Sequence, residues 1–473
     1  MTTRTIVTVL TIVLSGTAEA EEAKDQVISF LDQHQEDFSK VAMDIWKFAE
    51  VGYQEEKSSA LLQSKLQAAG FDVQAGIAGM PTAFVASWGE GKPVIAILAE
   101  YDALPGLSQQ VTTEREDAGS EAGHACGHHL FGTASTAAAI AVKEWLEKSG
   151  SNGTIRLYGT PAEEGGAGKV YMVRERLFED VDVSIAWHAG DRNDASPVTS
   201  LANISTKFRF HGRSAHAAGA PDQGRSALDA VESLNYMVNL MREHVDSTAR
   251  IHYIITRGGE APNVVPDFAE VYYYTRHPDV EALRGIWERV HKAAEGAALG
   301  TGTRMEYEII HGIYAVNPNE TVHRLLDKNL RAFAGVIYTK EEAAFAEKVQ
   351  TTLAKPKPIG SQAEVLPWKP SMVSGSSDVA DVSWVVPYAQ FYAATWVPGT
   401  PSHSWQAVAC GGTSIGLKGM AVAAKTLAMT AVDLFEDPAI VDKAKEELRE
   451  AQGSDFKYEP LVGDRKPPLD YRK

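Results

Sequence analysis

Residues 93–99 run Pro93-Val94-Ile95-Ala96-Ile97-Leu98-Ala99 without one polar side chain. An apolar run of that length, with no alternation, fits a strand buried on both faces. Such strands belong to parallel sheets covered by helices on both sides. The run stops at Glu100-Tyr101-Asp102, and the carboxyl ends of strands are where open α/β sheets keep their chemistry. The pattern recurs. Residues 154–159 form a strand leading to Pro161-Ala162-Glu163-Glu164-Gly165-Gly166, and residues 181–187 form another that stops at His188. The core of the chain therefore reads as α/β.

Around these strands, residues 25–71 and 133–145 carry helical periodicity, with Gly70 stopping the first region. The rhythm then changes. Residues 203–211 alternate as a half-exposed strand, and residues 224–245 place Leu228, Val231, Leu234, Val238 and Met241 on one helical stripe. Strands at 251–256 and 268–275, a helix at 279–299 and a strand at 303–311 follow. This β-α-β-β-α-β order is ferredoxin-like. The predicted organisation is an α/β domain of residues 25–202 and 315–451, with an α+β domain of 203–314 inserted into it. Helices resume at 318–350, residues 384–396 contain a buried strand, and 413–436 is a long apolar helix. Residues 108–123 read as a mobile loop and 452–473 as an extended, Pro-rich tail.

The first twenty residues have a basic start at Arg4, an apolar run from Ile6 to Leu14 and Ala18-Glu19-Ala20. That is the pattern of a cleaved signal peptide, so residues 1–20 predict export to a periplasmic or extracellular location. The run is shorter than the roughly 20 residues that span a bilayer, and no other stretch is expected to span. A net charge of −17 disfavours nucleic acid and anionic lipid as partners, since both need a basic face. The two cysteines, Cys126 and Cys410, lie far apart. Cys126 sits in a ligand-rich motif and reads as a functional thiolate, and Cys410 as a buried small residue. A disulfide between them is the alternative, and it would remove the thiolate.

Cys126 and His128 stand in Gly123-His124-Ala125-Cys126-Gly127-His128. Two residues apart in extended backbone, their side chains point to one side. Thiolate, imidazole and carboxylate are the ligands of zinc, manganese and their neighbours. Glu163 and Glu164 point in different directions, so one can hold a metal while the other serves as a base; alone, the pair would equally suit a helix start. His188, and His403 in Thr400-Pro401-Ser402-His403-Ser404-Trp405, would alone be ordinary hydrogen-bonded histidines.

Taken together, five segments carry a specific likeness: Ala99-Glu100-Tyr101-Asp102-Ala103-Leu104-Pro105-Gly106-Leu107, His124-Ala125-Cys126-Gly127-His128, Glu163-Glu164-Gly165-Gly166-Ala167-Gly168-Lys169, Ala261-Pro262-Asn263-Val264-Val265-Pro266 and Ser377-Asp378-Val379-Ala380-Asp381-Val382-Ser383-Trp384. In this order they resemble the M20 metallopeptidase/amidohydrolase family, subfamily D, from about residue 28 to about 436. The resemblance implies a zinc-peptidase-like catalytic domain holding two divalent ions, zinc or manganese, with an inserted lid domain that dimerises. It implies that Cys126, His128, Glu164, His188 and His403 are metal ligands, that Glu163 is the general base and that Asp102 orients a ligand. In the lid, His216, Asn263 and Arg276 match positions that engage substrate, His216 reaching across to the partner protomer's site to stabilise an oxyanion. His129 stands where relatives often carry Asp or Asn and is expected to pack rather than ligate. Glu100 stands where other branches place a metal-binding histidine.

The expected activity is metal-dependent hydrolysis of an N-acyl or N-aroyl amino acid, a small molecule of the p-aminobenzoyl-glutamate kind. Three alternatives stand beside it. One is a dipeptidase. Another is an amidase with Cys126 as nucleophile and His128 as base. The third is a chain active only with a different partner chain, in place of the expected homodimer.

Overall fold

The computed structural model describes residues 25–373 and 375–472; the expected signal segment lies outside them. Strands and helices are numbered here in chain order, with two-residue strands and single turns left aside. The first sheet holds β1 (Asp72–Ala75), β2 (Phe84–Glu90), β3 (Val94–Ala99), β4 (Gly153–Gly159), β5 (Val183–Gly190) and, late in the chain, β10 (Tyr388–Ala394). The apolar run is β3, buried along its whole length. It pairs in parallel with β4 on one side and β5 on the other, and β5 pairs in parallel with β10. Only β2 runs against the others, pairing antiparallel with β4 and with the edge strand β1. Three neighbouring parallel strands thus deliver their carboxyl ends, Ala99, Gly159 and Gly190, to one rim, with His188 just before the last of them.

Among the helices, α1 (Gln35–Phe48), α2 (Glu56–Ala68), α3 (His128–Ser149) and α4 (Gly168–Arg174) precede the second sheet. The middle of α3 is Ala137, Ala138, Ala139 and Ala141, all buried. Those small side chains let α3 pack closely on both the sheet and the long helix Ser414–Glu436, which itself also meets the sheet. By length and composition Ser414–Glu436 could cross a membrane, contrary to the expectation that no stretch after the signal segment could. Its window is 78% buried within the fold, against α3 and the sheet, so its apolarity is that of a core helix.

The second sheet is formed by β6 (Ala202–His211), β7 (Arg250–Arg257), β8 (Phe268–His277) and β9 (Arg304–Ile313), in the order β7-β8-β6-β9 and antiparallel throughout. Helices α5 (Ala227–Met241) and α6 (Val280–Thr301) pack together against it. This is the ferredoxin-like β-α-β-β-α-β topology, with its own core of Phe208, Phe210, Val231, Leu234, Val271 and Val290. Both helices start where short polar side chains can cap them. Ser226 accepts from the Asp229 amide and Asp279 from the Ala282 amide, each satisfying a donor that the helix leaves open. The rest of the first domain's cover is α7 (Glu320–Phe333), α8 (Lys340–Gln350), α9 (Val379–Ser383), α10 (Trp405–Gly411), α11 (Ser414–Glu436) and α12 (Pro438–Gln452).

One loop expectation needs correction. Residues 108–123 are irregular but tied to themselves rather than loose. Gln109 is buried, donates to the Glu114 carbonyl (2.8 Å) and accepts from the Glu116 amide (3.1 Å), while Ser108 Oγ accepts from the Ala118 and Ser120 amides. The tail after Gln452 is extended, yet Leu461 and Val462 are buried, so it is docked along its length.

Candidate metal centre

At the end of β3, Glu100 and Asp102 are both buried. The chain returns to them through Gly127, whose φ of 78° caps the start of α3. A Cβ at Gly127 would collide with that of Ala189 on β5. Glycine there lets the turn close onto β5, which brings Cys126 and His128 against His188. Cys126 Sγ lies 3.4 Å from His188 Nε2. His128 Nδ1 is 2.9 Å from Asp102 Oδ1, and His188 Nδ1 is 2.8 Å from the Ala189 carbonyl. A neutral imidazole that donates through Nδ1 presents the lone pair of Nε2, so both rings aim a ligand nitrogen at the same space.

After β4, Glu163 and Glu164 sit in a loop with left-handed backbone at Ala162 (φ 58°), Gly165 (φ 98°) and Ala167 (φ 57°). The Glu164 amide donates to Asp102 Oδ2 (3.0 Å). One carboxylate therefore orients two residues, His128 through Oδ1 and Glu164 through Oδ2. His403, half exposed on the loop before α10, donates its amide to the Ala125 carbonyl (2.9 Å) and places Nε2 3.1 Å from Glu164 Oε1.

The donor atoms form two groups with one member in common. Cys126, His128 and His188 lie within 4.8 Å of one another, and so do Cys126, Glu164 and His403. A third group joins Glu100, His128 and Glu163. His128 Nε2 and Glu100 Oε2 are buried 3.1 Å apart without the geometry of a hydrogen bond. Buried polar atoms left in that state cost free energy unless something else satisfies them. A cation does so, and thiolate, imidazole and carboxylate are all metal-ligating groups. The residues present fit a metal centre.

The two adjacent glutamates are driven apart electrostatically. Burial, together with Glu100 and Glu164, pushes Glu163 well above the usual carboxylate range. Burial acts on Glu164 too, but the His403 hydrogen bond and the His128 charge outweigh it and lower that carboxyl. A split of this kind marks an acid/base pair of unlike roles. Burial and Glu164 raise the Cys126 thiol. It stays protonated unless a cation takes it, which suits a ligand better than a nucleophile. Cys126 and Cys410 are both free thiols, so the disulfide alternative does not hold.

The site opens into a cavity of about 610 Å³, lined among others by Cys126, Glu163, Glu164, His188 and His403. Five expected ligands, Glu163 and Asp102 are thus brought together within one chain. The lid residues are not. His216 and Asn263 lie on the second domain, at its surface, and Arg276 on β8 stacks over Tyr274 (5.4 Å); none lines the cavity. His216 Nδ1 accepts from the Ala218 and Gly219 amides (3.2 and 3.0 Å), which leaves its Nε2 hydrogen directed away from its own loop. His129 points away from the centre. Its Nε2 donates to the Gly411 carbonyl (3.1 Å) and its ring tilts against His124 (4.9 Å).

Three buried groups were given no role in the sequence reading. Glu100 belongs inside the donor cluster. Lys169, wholly buried, places Nζ 2.7 Å from Glu100 Oε1 and 2.8 Å from Asp378 Oδ1. Glu55 accepts from the Ala162 amide (2.8 Å) and from Thr82 Oγ1 (2.9 Å), and burial beside Asp102 raises it to about 8. Glu100 had a signal, as the first polar residue after the buried run. For Glu55 there was none.

Asp102 gives a test of this geometry. Asp102→Asn keeps the shape but offers only one acceptor oxygen for two donors. Metal affinity is expected to fall about 10- to 100-fold, as when a partner behind a ligand is lost. Titrating Zn²⁺ into the metal-free variant measures it, and an unchanged affinity would remove Asp102 from the centre.

Residues 96–461 match the family model described as "Peptidase family M20/M25/M40". The chain is 42% identical to one of the subunits of the p-aminobenzoyl-glutamate hydrolase of Escherichia coli K12, over 87% of this chain and 91% of that protein. It is 30% identical to the Xaa-Arg dipeptidase of Mus musculus, over 92% of this chain and 94% of that protein. Among solved structures, a dinuclear metal-binding peptidase of Bacillus subtilis superposes with a TM-score of 0.58 at 19% identity, over 86% of this chain and 99% of that one.

Proposed function

The chain belongs to peptidase family M20/M25/M40, and on that footing we propose that it hydrolyses the amide bond of N-acyl-glutamate conjugates of the p-aminobenzoyl-glutamate kind at a two-metal centre. The observation that carries the two-metal reading is the sharing of Cys126 between two ligand trios. Cys126, His128 and His188 would hold one zinc or manganese ion, and Cys126, Glu164 and His403 the other. Bound there, the ions would supply an acidified water and a polarised carbonyl.

The residues of the chain do the rest. Glu163, beside but outside both trios, takes the proton of the attacking water at its carboxylate and passes it to the departing amine nitrogen as the C–N bond breaks. Asp102 keeps His128 and Glu164 oriented. His216 of a second chain donates Nε2–H to the oxyanion that forms on the carbonyl. Asn263 and Arg276, also on the lid, hold the free α-carboxylate, for which a guanidinium fork is suited. In this reading residues 203–314 are a lid that completes another chain's site, and residues 25–202 with 315–451 are the catalytic domain.

Glutamate as the amino acid is supported by charge. On a chain of net −17, the cavity wall beyond the centre's own Glu163 and Glu164 carries Arg192, Lys355 and Lys357 against the single carboxylate of Asp191. That carboxylate is held by Lys357 Nζ and the Gly399 amide, with Arg192 Nη1 more loosely placed at 3.8 Å, so three cations still face one anion. Burial lowers His323, also on the wall, to about 4, so it adds no charge near neutrality. The surplus cations suit the side-chain carboxylate of the substrate.

The test compares p-aminobenzoyl-glutamate with p-aminobenzoyl-glutamine. The glutamate conjugate should have the higher kcat/KM, by up to roughly fivefold, the scale of exposed ion pairs. Arg192→Gln with Lys355→Gln should flatten the ratio. Equal rates on both substrates in the parent chain would remove the acidic-substrate reading.

A homodimer and a pairing with a different chain both place a lid against the cavity. The second is favoured by the E. coli relative's name, which makes it one component of a larger enzyme. Activity of the purified chain alone decides between them. Export through residues 1–20 would put the enzyme among conjugates outside the cytoplasm, and a mature protein whose first residue is Glu21 is the expected result of N-terminal sequencing.

A further inference from the structure

Residues 462–472 lie beyond the family match, which ends at 461, yet they finish against the ligand loop. The strap leaves α12 and passes the root of the second domain first. There Arg284 Nη2 and Tyr314 Oη both donate to the Glu459 carbonyl (2.9 Å each), and Tyr458 Oη donates to Asp381 Oδ1 (2.6 Å). Arg465 then reaches Glu308 on β9 (3.1 Å). Over the first domain, Arg174 donates to the carbonyl of Arg465 (2.7 Å) and Gln54 to that of Leu469 (2.8 Å). At the end, Tyr471 Oη and Arg472 Nη2 donate to one acceptor, the backbone carbonyl of Glu164, at 3.1 and 2.8 Å. Tyr471 also meets Tyr53 edge-on (5.7 Å), and a Cβ at Gly52 would strike its hydroxyl.

The carbonyl that these two residues hold belongs to a strained loop. Ala162 and Ala167 adopt left-handed backbone that alanine rarely takes. Such conformations are strained and persist only where surroundings over-determine them. Three restraints do so here. Glu55 accepts from the Ala162 amide, Tyr53 Oη donates to the Gly166 carbonyl (2.7 Å), and Asp102 accepts from the Glu164 amide. The strap supplies the fourth, and it fills both lone pairs of the Glu164 carbonyl while Asp102 fixes the amide of the same residue. Neither Tyr471 nor Arg472 lines the cavity.

We propose that Tyr471 and Arg472 are positioning residues for Glu164, so that the chain's own C-terminal strap sets the geometry of the second metal position. This rests on the reading of Glu164 as a metal ligand. The strap acts on the ligand's backbone, and its consequence is metal affinity before it is stability.

The experiment is a calorimetric titration of Mn²⁺ into the metal-free full-length chain, which needs no substrate. Tyr471→Phe combined with Arg472→Ala should bind one of two Mn²⁺ equivalents about 10- to 100-fold more weakly, the range for lost partners behind a ligand. The other equivalent should be unaffected, and Arg472→Lys, which keeps a donor, should restore part of the loss. An isotherm like the parent's overturns the proposal, whatever happens to the unfolding temperature, because a strap with only a structural role moves stability alone. Should the double variant fail to fold, Tyr471→Phe alone decides in the same way. A parent chain that binds no Mn²⁺ overturns both this proposal and the ligand reading beneath it. A chain that shows the shifted isotherm but hydrolyses no acyl-amino acid leaves this proposal standing and removes the substrate assignment.

Discussion

Glu163→Gln is expected to lower kcat by about 100- to 10,000-fold, the range that positioned proton transfer contributes, while the variant keeps its metal. Glutamine preserves the volume and the hydrogen-bonding outline of the side chain but cannot take a proton from water. Two features single out Glu163 over its neighbour. It stands outside both trios that share Cys126, and burial with the Glu100 charge gives it a far higher proton affinity than Glu164 has. Metal content measured by atomic emission, alongside kcat on p-aminobenzoyl-glutamate, separates the roles. Full turnover would end the assignment as base. Loss of an ion would instead make Glu163 a ligand, through the third group with Glu100 and His128.

The largest stability effect is expected at Lys169. Its ammonium is wholly buried between Glu100 and Asp378, and its backbone amide also donates to Asp378 Oδ2 (2.9 Å). Lys169→Met keeps the length of the side chain and strands two buried carboxylates. Breaking a buried pair by removing one partner typically costs about 3–5 kcal/mol, so a large drop in the urea midpoint of unfolding is expected. Adding Glu100→Gln and Asp378→Asn to the same chain should recover part of it, since the penalty lies in the unpaired charges rather than in the missing lysine. A single variant as stable as the parent would mean that these acids are not held as ions by Lys169.

The fold was legible where burial leaves a periodic trace. Strand β3 is apolar throughout because both its faces are covered. The β-α-β-β-α-β order of the second sheet could be read because residues 203–211 alternate and Leu228, Val231, Leu234, Val238 and Met241 fall on one helical stripe. The donor set was read from the family likeness of its motifs; of its members only Glu164, after β4, and His188, near the end of β5, are marked by a strand. What escaped depends on contacts that leave no local mark. Lys169 and Asp378 are 209 residues apart, and neither stands out in its own segment. The left-handed turns of the ligand loop fall at alanines rather than at glycines alone, so the strain that makes the strap matter has no compositional signal. The tail's Pro-rich polarity suggested an extended segment, and gave no sign that its polar groups are used at a distance, on Glu308, Arg174 and Glu164. The length and apolarity of Ser414–Glu436 reflect coverage on nearly every side by protein, a state that composition does not separate from coverage by lipid.

The most direct test of the account is a metal titration of activity. The purified chain would be stripped with a chelator and assayed on p-aminobenzoyl-glutamate while Mn²⁺ or Zn²⁺ is returned in measured steps. The account predicts no turnover in the stripped chain and recovery that saturates at two ions per active site. A stripped chain that keeps its full rate would contradict it, and would move the chemistry from the metal centre to the thiol of Cys126.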